Sequence, residues 1–114
     1  MFTNKEIAET IVRQLGGNRF VVMTGAKNLR AIDRGVALQL PARFAKDGIT
    51  YVQVVLDPSD TYTMTFKKIG PLPSLKRLIA GAEQKITVVA SVSDVYNDML
   101  QTIFTKYTGL DCHL

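Results

Sequence analysis

Cysteine occurs once in these 114 residues, as Cys112, and histidine once, as His113. One cysteine excludes an internal disulfide framework. Two adjacent side chains cannot by themselves complete the four-ligand shell of a zinc site, and a Cys–His nucleophile needs a shielded pocket and an orienting third group. No run of about 18 apolar residues occurs, so no membrane-spanning helix is expected. The opening Met1-Phe2-Thr3-Asn4-Lys5 lacks the apolar stretch of a signal peptide. These absences together point to a reducing cytoplasm. There is no internal repeat and no low-complexity segment. Gly16-Gly17 lacks the G-x-G-x-x-G spacing of a dinucleotide fingerprint, and Thr24-Gly25-Ala26-Lys27-Asn28 lacks the spacing of a P-loop.

The acids do not assemble a catalytic pair either. Asp33, Asp47, Asp57 and Asp60 stand beside Gly, Pro or Ser, where turn chemistry accounts for them. Asp94 and Asp98 sit one turn apart at the expected start of a helix, where the dipole favours negative charge. With no nucleophile–base pair, metal cluster or phosphate loop, the chain reads as a non-enzyme without catalytic residues, metal or cofactor.

What is present is an ordinary globular composition, 46% hydrophobic and 21% charged, on a chain of single-domain length. Lys and Arg number 14 against 10 Asp and Glu, a net charge of +4. That excess permits an anionic partner without demanding one.

Residues 3–15 form the first expected helix. Thr3 and Glu6 make a capping box, Phe2 can staple onto Ile7, and Ile7, Ala8, Ile11, Val12 and Leu15 share one face. Gly16-Gly17 stops it. Residues 19–24 alternate as a first strand, apolar on both sides. A turn at 25–28 follows, with Asn28 a candidate for positive φ. Residues 29–32 resume a strand, and 36–40 make another that Pro41 ends. Residues 42–46 have the length of one helical turn.

The strongest signal is at 49–69. Residues 49–56 are rich in β-branched and aromatic side chains, Asp57-Pro58-Ser59-Asp60 is a turn, and Tyr62, Met64 and Phe66 alternate with Thr61, Thr63 and Thr65. This is a β-hairpin. Residues 70–85 read as an insertion, with Ser74 capping a short helix. Residues 86–92 form the last strand. Ser93 or Asp94 caps a final helix to about residue 108, on which Val95, Met99, Ile103 and Tyr107 make an apolar stripe. Short connections up to residue 69 make those strands antiparallel. The expected fold is α+β: one domain over 1–114, a curved antiparallel sheet of four to five strands, and an N-terminal and a C-terminal helix packed on one face.

The stretches AETIVRQLGGNRFVVMTGAKN, DPSDTYTMTF and VSDVYNDMLQTIFTKYTGL resemble a group of small uncharacterised proteins of tailed phages, prophages and plasmids. The resemblance covers most of the chain except about 70–85. It implies a mobile-element origin and expression in the cytoplasm of a bacterial host, and brings no established activity. Strand order and charge also resemble, at the level of topology, the single-strand-binding proteins of the positive cofactor four and Whirly type, in which a sheet holds nucleic acid and a helix builds a dimer.

Two functions follow as expectations. In the first, single-stranded DNA lies on a basic sheet face formed by Arg19, Lys27, Arg30, Thr61, Thr63, Thr65, Lys67 and Lys68, with an exposed Tyr51 or Tyr62 stacking bases. In the second, the chain grips or inhibits a host or phage protein through the 70–85 insertion, with Leu75, Lys76 and Arg77 as contacts and no nucleic-acid binding. Homo-oligomers are expected in either case, because residues 95–107 offer more apolar surface than one small sheet covers.

Overall fold

A computed structural model describes residues 3–41, 45–69, 74–82 and 85–110. The expected Phe2 staple, most of the helical turn at 42–46, the Gly-Pro run at 70–73 and the Cys112-His113 tail lie outside the described residues. Five strands form one antiparallel sheet in sequential order: β1 (Lys27–Ile32), β2 (Gly35–Gln39), β3 (Tyr51–Leu56), β4 (Tyr62–Ile69) and β5 (Ile86–Val95). The helices are α1 (Asn4–Leu15), α2 (Asn18–Thr24), α3 (Leu75–Ile79) and α4 (Leu100–Thr108). The fold is α+β with a curved, unclosed sheet. No helix among the described residues is long and apolar enough to cross a membrane.

α1 starts as the sequence predicts. The Thr3 hydroxyl oxygen accepts the Glu6 amide at 3.1 Å and donates to the Glu6 carboxylate at 3.2 Å. This satisfies one of the free amides of the first turn. Ile7, Ala8, Ile11 and Leu15 are buried. At the other end Gly17 N–H reaches the Val12 carbonyl and Gly16 N–H that of Arg13, the paired bonds of a Schellman ending.

The segment expected as the first strand is a helix. Gly17 (φ 61°) and Gly25 (φ 72°) bracket α2, so the two glycines at 16–17 join two helices and do not lead into a strand. Phe20 and Thr24, four residues apart, are fully buried, while Val22 is 80% exposed. A strand would have put Phe20 and Val22 on the same side. A short apolar run looks alike in either state, and here packing decided it. Phe20 meets Phe104 edge-on, ring centroids 5.0 Å apart. The Thr24 hydroxyl donates to the Phe20 carbonyl at 2.6 Å and accepts from the Ala26 amide at 3.2 Å.

The core is the inner face of the sheet closed by α1, α2 and α4. Register sets two apolar rows across it. One runs Val36, Val54, Met64, Val92; the other Leu38, Val52, Phe66, Ala90. Ile11 and Leu15 of α1, Phe20 of α2, and Leu100 and Phe104 of α4 are buried with these rows in one cluster. Gly35 is required for β2 to approach β3, because a side chain there would run into the Val54 carbonyl.

The C-terminal helix begins later than expected. β5 continues through Asp94 (φ 56°) to Val95, which pairs with Tyr62, and a 3-10 turn over Asn97–Met99 precedes α4. Val95, Leu100 and Phe104 are buried in the core, and Tyr107 stacks on Phe66 with centroids 5.2 Å apart. Much of the apolar surface expected to drive self-association is therefore covered by the chain's own sheet. The insertion carries α3, whose Ser74 hydroxyl caps the Arg77 amide at 3.4 Å as expected.

Candidate nucleic-acid interface

The outer face of the sheet is organised by the same register. One row reads Arg30, Ala37, Gln53, Thr65, Ser91; the next reads Lys27, Gln39, Tyr51, Lys67, Val88. Each row crosses five strands, roughly 19 Å at 4.8 Å per strand. The two rows carry three cations, four amide or hydroxyl side chains and no carboxylate.

Tyr51 is the centre of this face. Its ring lies between the Arg30 guanidinium carbon, 5.9 Å from the centroid, and Lys67 Nζ at 5.7 Å. Arg30 Nη2 also donates to the Tyr51 hydroxyl at 3.1 Å. The ring's negative faces attract the cations. Tyr51 is only 8% exposed. It spaces and orients two cations and is not a platform open to a base. Around this centre Asn28 donates to Gln39 Oε1 at 2.7 Å, and the hydroxyls of Thr65 and Ser91 meet at 3.5 Å. Asn28 adopts the expected positive φ, 54°, which accompanies the register slip between Lys27 and Arg30.

The structure puts Lys27, Arg30, Tyr51, Thr65 and Lys67 in these two rows, with Tyr51 buried where exposure was expected. Thr63 lies one row further on, opposite Val55, with its hydroxyl committed to Asp57 Oδ2 at 2.6 Å. Four expectations are corrected. Arg19 is on α2 and is not part of any strand row. Thr61 precedes β4, is buried, and lies 2.8 Å from the Ser59 hydroxyl within the hairpin turn. Lys68 follows Lys67 in β4, so it points to the opposite side, where its stem passes Gly48. Tyr62 is on the inner face, buried, and donates to Gln14 Oε1 at 3.0 Å; burial raises its phenol above the ordinary value of 10.0. Leu75, Lys76 and Arg77 are all exposed on α3.

Gln39, Gln53 and Ser91 were missed. The signal existed in the glutamines, each the lone polar residue of an apolar strand run, but assigning their face needs the register.

A groove of about 540 Å³ opens between α1 and β1 on the other side of the sheet, with Val12, Leu29 and Val36 in its wall and Glu9 its one carboxylate. Among the described residues no three His, Cys, Asp or Glu side chains converge. No protein-family model matches the chain, and no curated protein or solved structure matches it.

Proposed function

We propose that the protein binds single-stranded nucleic acid on the outer face of its sheet, through the phosphate backbone. The observation that carries this reading is the pair of outer rows: Arg30 and Lys67 flank Tyr51, and Lys27 stands two strands away in the same row, among amides and hydroxyls, with no acid in either row. Guanidinium and ammonium groups neutralise phosphates, and Gln39, Gln53, Thr65 and Ser91 add neutral hydrogen bonds to phosphate and sugar. Reading a duplex groove takes a helix or a two-stranded ribbon, and the two rows are a sheet face. The polar strand surface, half-buried at Gln39, Gln53, Thr65 and Lys67, suits a flexible single strand laid across it. Because the cations enclose Tyr51, base stacking contributes little, and binding is tolerant of sequence and strongly salt-dependent. The mobile-element origin implied by the sequence resemblance agrees with such an activity.

Fluorescence anisotropy with a labelled single strand of about twenty nucleotides tests it, since single-strand sites span several to sixteen nucleotides per domain. Three phosphate contacts at about 0.7 each give a log–log salt slope near −2, roughly twentyfold weaker binding over a fourfold rise in salt. The Lys27→Ala/Lys67→Ala variant should bring the slope to about −0.7. Absence of binding at low salt with about 100 µM protein, the weak end of non-specific affinities, refutes the reading, as does a salt-insensitive signal.

A further inference from the structure

The two edges of the sheet are finished differently. β1 is six residues long, carries Lys27 and Arg30, and slips register between them. Short length and charge are means by which an edge strand avoids accepting another strand. β5 is ten residues long and holds no charged side chain from Ile86 through Ser93. It pairs with β4 only. Alternate backbone N–H and C=O groups along it therefore face away from the sheet. Two register slips increase its twist, yet residues 86–88 and 90–92 keep regular pairing with β4.

Exposed apolar residues are concentrated in the same stretch of the sequence. Eight large apolar residues are exposed among those described, and five of them, Leu75, Leu78, Ile79, Ile86 and Val88, lie in the β4–β5 connection and the start of β5. Ile86 and Val88 are each 57% exposed. By contrast, the stripe of α4 is largely spent on the core.

We infer that β5 is a homodimer interface, in which two copies of this chain pair β5 against β5, antiparallel across a twofold axis, and join their sheets into one of ten strands. The free main-chain groups specify a strand as the occupant, since only another strand satisfies them in series. A second copy fits that description. A twofold axis sets an edge against itself in the antiparallel sense. The run 86–93 then meets its own copy with no like charges opposed, which β1, with Lys27 and Arg30, would not achieve. A strand pair alone falls short of the roughly 1,200 Å² of a stable interface; Leu75, Leu78 and Ile79, just upstream of β5, supply the further apolar area. This dimer stands or falls independently of nucleic-acid binding.

Sedimentation velocity of the full chain over about 1–200 µM reads the equilibrium directly, since weak standard contacts dissociate in the micromolar range. The expected result is a monomer–dimer equilibrium that Val88→Lys weakens at least tenfold, with the circular dichroism spectrum unchanged. A wild-type monomer throughout the range overturns the inference, and so does a dimer of undiminished affinity in the variant. Hydrogen exchange of the wild-type chain is a second measure that needs no variant. Amides of β5 should gain protection as concentration rises while those of β1 do not; equal behaviour of the two edges overturns it.

Discussion

Replacing Phe20 with alanine should destabilise the protein severely, and replacing Val22 should hardly matter. Phe20 is fully buried, packs edge-on against Phe104, and sits on a helix that presents Val22 to solvent at 80% exposure. A large-to-small change at a fully buried phenylalanine costs about 3–5 kcal/mol, the lost aromatic pair contributing within that range. For 114 residues, at about 2.1 cal/mol/K per residue, the unfolding entropy is about 240 cal/mol/K, so each kcal/mol lowers Tm by about 4 °C. Phe20→Ala is therefore expected to lose about 12–20 °C. Val22→Ala removes an exposed β-branched residue from a helix, where alanine is the better helix former, and should stay within about 0.5 kcal/mol, or 2 °C. Differential scanning calorimetry of the two variants beside the wild type decides it. Similar losses at both positions would refute the helix, because residues 20 and 22 share a side only in a strand.

Two further perturbations probe the sheet and the core. Gly35→Ala places a methyl group against the Val54 carbonyl and should cost at least the 1–3 kcal/mol of an overpacked site, about 4–12 °C by the same calorimetry. The raised pKa of Tyr62 gives a signed pH dependence. Below pH 10 both folded and unfolded chains keep this proton; above it the unfolded chain ionises first, so the stability held by the neutral buried phenol falls as pH rises toward the folded-state value. Urea unfolding between about pH 8 and pH 11 should show a steeper alkaline loss in the wild type than in Tyr62→Phe; parallel curves would contradict the assignment.

The parts of this molecule legible in its sequence are those where local chemistry and burial agree. The β3–β4 hairpin is announced by alternation and by a turn whose Asp57 carbonyl accepts the Asp60 amide, with Asp60 at φ 63°. The Thr3–Glu6 cap and the Ser74 cap follow from side-chain oxygens acting on their own backbone, and the positive φ of Asn28 from the tolerance of asparagine for the left-handed region. Antiparallel pairing of β1 through β4 follows from short connections. From these alone came an α+β sheet with helices on one face.

What tertiary structure alone decided were matters of partner and face. FVVM at 20–23 has the composition of a strand, but Phe104 needed Phe20 and nothing needed Val22, so the segment is a helix and Arg19 leaves the sheet. Register, which no single strand encodes, put Gln39, Gln53 and Ser91 beside the cations and sent Lys68 and Tyr62 to the opposite side. A one-residue step along a strand exchanges faces completely. The role of Tyr51 was the furthest from view: its sequence neighbours mark it only as a strand aromatic. Arg30, twenty-one positions upstream, and Lys67, sixteen downstream, enclose it because three strands bring them within 6 Å of one ring.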